Sequence, residues 1–143
     1  MSKNRYKYPV KIISPKNITY CSSPAHKRKL KYAVDFIVPE GTTIKAASSG
    51  IVVDVKQDSN KSGVDSSYDP LGNYIEIAHK NKEYSIYEHI QPKGSLVKVG
   101  DKVKAGKIIG YTGKTGWIAH LGPHLHFDIH TYFGTRDNDY RTI

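Results

Sequence analysis

The chain has 143 residues, a single cysteine and a formal charge of +9 at pH 7. That length suits one domain whose core needs no disulfides, and Cys21 alone cannot close an internal bridge. The charge favours polyanions such as acidic wall polymers, anionic membrane or nucleic acid; without an Arg-rich helix, a Cys/His finger spacing or an aromatic pair in a basic strand, a specific nucleic-acid module is not expected, and no apolar run is long enough to form a transmembrane segment.

The opening "MSKNRYKYPVKIISP" has a basic flank with no apolar stretch behind it and does not read as a secretory signal peptide. Within it, "PVKII" is expected to form an edge strand. Further along, helical periodicity is scarce and period-2 alternation prevails. "VDFIV" sends Val34, Phe36 and Val38 one way and Asp35 and Ile37 the other. "GIVVDVKQ" puts Ile51, Val53 and Val55 on one face. Residues 58–72 are polar and rich in turn formers, and read as a long surface loop inserted between two strands. "NYIEIAH" sets Ile75, Ile77 and His79 against Tyr74 and Glu76, and "EYSIYEHI" sets Tyr84, Ile86 and Ile90 against Tyr87 and His89. The polar link "KNK" between these two runs predicts a hairpin. "SLVKVGDKVKAGKIIGYTG" is a string of short strands punctuated by Gly94, Gly100, Gly106 and Gly110, as in a compact barrel or sandwich. No repeat and no linker divides the chain. The reading is a single all-β domain over residues 1–143, an antiparallel β-sandwich or barrel-like domain with long surface loops. Residues 1–20 form an N-terminal extension or edge strand, and residues 133–143 a polar tail that loops or frays.

"GPHLHFDIH" covers residues 122–130. In a strand, Leu125, Phe127 and Ile129 share one face and His124, His126, Asp128 and His130 the other. A solvated β-face ordinarily carries Lys, Thr, Glu or Ser, and a lone strand histidine is ordinarily a surface residue. Three imidazoles and a carboxylate in one row suggest metal chemistry instead. Neutral imidazole ligates zinc at ~2.0–2.1 Å, and a catalytic zinc takes three protein ligands and leaves one position for water. From spacing alone, His124 and His126 are equally eligible as ligands.

With "YAVDFIVPEGTTIKAASSGIVVDV", "YSIYEHI" and "VKVGDKVKAGKIIGYTGKTG" ahead of it in that order, "GPHLHFDI" resembles the LytM/lysostaphin-type zinc metallopeptidases over residues 26–130. The resemblance implies an antiparallel β domain with a narrow groove, in a cell-envelope or secreted protein. It also implies a zinc-dependent endopeptidase acting on stem or cross-bridge peptides of bacterial peptidoglycan, with small residues favoured by the groove. It assigns zinc to His126 and Asp35, and catalytic roles on the water or the transition state to His124 and His89. The family commonly has a histidine where Lys31 stands, and a protonated lysine cannot ligate. The nearest upstream histidine, His26, is therefore expected as the first ligand, returned to Asp35 by a turn over residues 27–30. The loop "TGWIAHLGPHLHF" is longer than usual in the family, which places Trp117 and His120 on the groove rim. His79 is expected to be a plain strand-end polar residue. His130, about 13 Å along the strand from His126, lies beyond the metal, and Asp128 serves as an acceptor that orients an imidazole. The positive charge would hold the protein on anionic wall polymers.

Three other readings compete. A catalytically inactive LytM-like binding or regulatory module would keep the groove without the metal, and Lys31 speaks for it. A biotinyl- or lipoyl-type carrier shares the glycine punctuation, but Met1 is the only methionine available to flank an attachment lysine, and the histidine face would have no use there. A cupin places its His-x-His pair early in the chain, whereas here it comes last.

Overall fold

The computed structural model of the protein describes residues 2–20, 33–119 and 121–131, and within them the alternation becomes strands, with helix confined to short 3-10 turns. In chain order the strands are β1 (Ile18–Tyr20), β2 (Val34–Phe36), β3 (Thr43–Lys45), β4 (Gly50–Lys56), β5 (Ser62–Gly63), β6 (Tyr74–Ala78), β7 (Tyr84–Glu88), β8 (Ile90–Ser95), β9 (Lys102–Val103), β10 (Ile108–Thr112), β11 (Gly116–Trp117) and β12 (Leu125–His130). A large sheet runs β1-β2-β12-β7-β6-β4-β9 with every neighbour antiparallel. A smaller antiparallel sheet runs β3-β10-β8, and β5 and β11 form a short parallel pair. The architecture is all-β, as the alternation predicts. None of its helices is long and apolar enough to cross a membrane, among the described residues.

One hydrophobic cluster joins the two larger sheets. Phe36, Val52, Ile75, Ile77, Tyr87, Leu125, Phe127 and Ile129 come from the large sheet, and Ile44, Ile90 and Ile109 from the smaller one. Each fully buried aliphatic or aromatic side chain contributes about 1.5–3 kcal/mol of transfer free energy. Leu125, Phe127 and Ile129 thus bury the face of β12 assigned to them. The Tyr87 hydroxyl, fully buried, accepts from the Ala47 N–H at 2.8 Å and the Ser85 hydroxyl at 3.0 Å.

Strict alternation misplaces several residues. The edge strand is β1, not "PVKII": Pro9 has no N–H to give a ladder, and that stretch makes separate bonds from Lys45 N–H to Pro9 O and from Lys7 N–H to Ala47 O. In β4 a bulge between Val52 and Asp54 shifts the register, so Val52 enters the core while Ile51 stays about half exposed. The β6–β7 hairpin forms at the predicted link, with Asn81 and Lys82 at φ +62° and +58°. Between β7 and β8, His89 sits at φ +66° and breaks the alternation. Tyr87 and Ile90 therefore both enter the core, while Tyr84, Ile86 and Glu88 share the opposite face. The inserted loop is tied down: β5 pairs with β11, residues 66–71 form a 3-10 turn, and the buried Asn73 amide exchanges two hydrogen bonds with the Ser59 backbone. At the other end, the buried Glu83 carboxylate accepts from Ser2 Oγ, Lys3 N, Asn4 N and Tyr6 OH, which pins the N-terminal segment to the hairpin. His26, Lys31, Cys21, His120 and residues 133–143 lie outside the described residues.

Candidate active site

Antiparallel pairing places His126 of β12 directly opposite Asp35 of β2 on one side and Glu88 of β7 on the other. Directly opposed residues point to the same face of a sheet. That face of β12 is not a solvated one: His124, His126, Asp128 and His130 are all buried, as are Asp35, Glu88 and Glu76. Residues from opposite ends of the sequence thus form a polar layer sealed against the large sheet.

Asp35 Oδ1 stands 2.9 Å from His126 Nδ1 and 3.8 Å from His124 Nε2. His124 donates its Nδ1–H to the Gly122 carbonyl at 2.8 Å. His89 donates its Nδ1–H to the Thr115 carbonyl at 2.7 Å. A carbonyl only accepts, so Nδ1 of each ring carries a proton, and each ring when neutral has its lone pair on Nε2. The His89 and His124 rings meet edge-on with centroids 4.5 Å apart, and His89 lies 6.0 Å from His126. The left-handed backbone at His89 is what turns this ring away from the core, since continued β geometry would have sent it beside Tyr87. Thr115 is held in turn: its hydroxyl donates to the Ile90 carbonyl and accepts from the Asn73 N–H. Gly113 allows this close packing, because a Cβ there would lie 2.8 Å from Gln91 N and 3.0 Å from His89 O.

The electrostatics favour a cation at His126. Burial alone would push this imidazole down, but the nearby carboxylates of Asp128, Asp35 and Glu88 hold it well above the ordinary histidine range. Burial would raise Asp128, yet the imidazoles of His126 and His130 beside it bring it down to about 2. Burial would lower His130, yet Asp128 and Glu76 carry it up to about 9. A buried layer of carboxylates around imidazoles calls for compensating positive charge.

Zinc fits this donor chemistry. Two ligands of one tetrahedral zinc, each ~2.0–2.1 Å from it, stand about 3.3 Å apart; the Asp35 Oδ1–His126 Nδ1 separation of 2.9 Å is within a few tenths of that. Among the described residues, no group of three or more His, Cys, Asp or Glu side chains is disposed to hold a metal ion. Asp35 and His126 offer two ligands, and His26, the expected third, lies outside the described residues.

The structure brings Asp35, His89, His124 and His126 together. His79 stands apart, bonded to Ser49 O at 2.8 Å and Ser85 Oγ at 2.7 Å, the plain role expected of it. His130 is likewise engaged away from Asp35, by Asp128 and Glu76. Trp117 anchors the inserted loop through its Nε1–H to the Val64 carbonyl. Glu88 was missed by sequence reasoning. Its signal was the Tyr84–Ile86–Glu88 alternation, obscured by carrying the same period through His89. At Thr115 opens a cleft of about 210 Å³, lined also by Glu40, Asn60, Ser62, Gln91 and Lys114. A larger apolar cavity of about 470 Å³ lies among Tyr6, Tyr8, Val34, Phe36 and Phe127 and holds none of the site's polar groups.

A model of peptidase family M23 matches residues 29–139. The peptidoglycan DD-endopeptidase ShyC of Vibrio cholerae is 39% identical over 102 residues, covering 71% of this chain and 20% of that protein. Lysostaphin of Staphylococcus simulans is 40% identical over 99 residues, 68% of this chain and 17% of that protein. The chain therefore spans about a fifth of the length of these curated relatives. The solved structure of lysostaphin from Staphylococcus simulans superposes with a TM-score of 0.61 at 35% identity, covering 82% of this chain and 44% of that one. A zinc-containing peptidase from Vibrio cholerae superposes with a TM-score of 0.59 at 28% identity, covering 88% of this chain and 36% of that one.

Proposed function

Since the chain belongs to peptidase family M23, we propose that it is a zinc-dependent endopeptidase hydrolysing peptide bonds in the stem or cross-bridge peptides of bacterial peptidoglycan. The observation that carries this reading is the convergence of two same-tautomer imidazoles, His89 and His124, on the Asp35–His126 pair. Asp35 and His126 would hold the metal with His26 as third ligand, while His89 and His124 would act on the reacting atoms. When bound, zinc supplies Lewis-acid polarisation of the scissile carbonyl and lowers the pKa of a water.

The chain's own residues do the rest. With Nδ1 committed to a backbone carbonyl, Nε2 of His89 or of His124 is the base that takes the water's proton as the C–O bond forms. The ring that has taken this proton, now an imidazolium, donates Nε2–H to the oxyanion and then passes the same proton to the amine as the C–N bond breaks. Fixed backbone acceptors orient both rings in advance, so little reorganisation is needed at the moment of reaction. Two histidines thus replace the glutamate base of H-E-x-x-H enzymes. The wall substrates named for the relatives support an envelope or secreted site of action. The charge of +9 supports additional, salt-sensitive holding on anionic wall polymers.

Lys31, in the place of the family's usual first ligand, favours a second reading: a metal-poor, inactive binding or regulatory module. Metal stoichiometry of the purified protein separates the two. The mechanism is tested by peptidase assays on peptidoglycan peptides with chelator, with zinc restored, and with His89→Ala and His124→Ala. Loss of turnover in both variants is expected, and unchanged turnover in both would remove the mechanism.

A further inference from the structure

The polar face of β12 continues past His126 into a second buried cluster that the proposed chemistry does not use. Asp128 Oδ2 faces His126 Nε2 at 3.6 Å, within ion-pair range. Its other oxygen, Oδ1, accepts from His130 Nδ1–H at 2.9 Å, and His130 Nε2 meets Glu76 Oε1 at 2.7 Å. Glu76, Ile86 and Asp128 lie in line across β6, β7 and β12, so His130 reaches over β7 to bind Glu76. There its ring stacks on Tyr84, centroids 5.8 Å apart and planes 12° from parallel. The imidazole is thereby fixed in position by two carboxylates and an aromatic face. A buried ionic chain of this kind costs about as much to desolvate as its internal attraction returns, so stability alone does not call for it.

We propose that Asp128, His130 and Glu76 are positioning residues that hold the His126 ring, through Nε2, in the orientation that presents Nδ1 beside Asp35. This rests on the zinc reading above. His126 has one nitrogen toward Asp35 and the other toward Asp128, the arrangement in which an outer carboxylate fixes the ring orientation of a metal-bound histidine. His130 and Glu76 add a further layer, since Asp128 can keep Oδ2 on His126 only while Oδ1 is held.

The test compares wild type with His130→Phe, which keeps a flat ring against Tyr84 but removes both N–H donors, and with Asp128→Asn and Glu76→Gln. The readouts are zinc affinity by chelator competition, the visible spectrum of the cobalt-substituted protein and Tm of the metal-free protein. Zinc affinity should fall about 10–100-fold in His130→Phe and Asp128→Asn, with an altered cobalt spectrum. Glu76→Gln, which keeps an acceptor for His130, should lose less. Affinities within about twofold of wild type, with an unchanged cobalt spectrum, would overturn the proposal even if Tm falls. Should His130→Phe not fold, Asp128→Asn and Glu76→Gln decide by the same readouts. A wild type that takes up no zinc would overturn the functional reading and this inference with it; a zinc-binding wild type with unaffected variants would overturn this inference alone.

Discussion

Replacing His89 by asparagine separates proton transfer from architecture. His89 is buried at φ +66° and donates Nδ1–H to the Thr115 carbonyl at 2.7 Å. Asparagine enters the left-handed region more readily than most residues, which avoids the roughly 1–2 kcal/mol that alanine would incur there. Losing the hydrogen bond costs about 0.5–1.5 kcal/mol, which lowers Tm by a few degrees, roughly 2–4 °C per kcal/mol for a chain of this size. The chemical loss is larger. A positioned proton carrier contributes about 10²–10⁴ in rate, or ~2.7–5.4 kcal/mol in the barrier. His89→Asn should therefore lower kcat on a defined cross-bridged peptide by about 10²–10⁴-fold while zinc affinity, measured by chelator competition, stays within about threefold of wild type. A kcat within about threefold of wild type would refute the assignment of His89 to proton transfer. So would a loss of zinc affinity as large as the loss of kcat, since His89 would then be a ligand.

Gly113→Ala would push a methyl group to 2.8 Å from Gln91 N and 3.0 Å from His89 O; it should cost about 1–3 kcal/mol of stability and also reduce kcat, and a denaturation curve matching wild type would contradict that packing. Tyr87→Phe leaves the Ala47 N–H and the Ser85 hydroxyl without their shared acceptor in the core, and urea unfolding should show a loss of about 1–3 kcal/mol. Glu83 supplies the pH dependence: burial would raise its carboxyl, but hydrogen bonds from Lys3 N, Tyr6, Ser2 and Asn4 lower it below the ordinary range. A depressed folded-state value means stabilisation that is fully present above the unfolded pKa of about 4.3 and is lost as pH falls through the lower folded value. Between pH 7 and pH 3, Glu83→Gln should lose less stability than wild type by urea titration; parallel losses would show that the N-terminal segment is not held by this charge.

What the sequence makes legible is what is local. The two faces of β12 follow from a period of two in "HLHFDIH", and the β6–β7 hairpin from a polar link whose residues accept positive φ. The Asp35–His126 adjacency joins residues far apart in the chain, so no periodicity reveals it; it came from the ordered motifs of a family. Where alternation misled, a specific backbone event intervened. The bulge at Val52/Asp54 turned Ile51 outward, and the left-handed His89 exchanged the partners of Tyr87 and concealed Glu88. Burial was also illegible: a row of His and Asp reads as a surface, and only the sheet's neighbours show that Glu76, Glu88 and Asp35 close a polar interior around it.

The shared metal is decided by a crystal structure of the zinc-loaded protein with anomalous data at the zinc edge. One zinc per chain should appear within ~2.0–2.1 Å of an Asp35 carboxylate oxygen and His126 Nδ1, with His26 completing the protein ligands and His89 and His124 beside the remaining position. Zinc absent from that place, or bound by side chains that include neither Asp35 nor His126, would contradict the account.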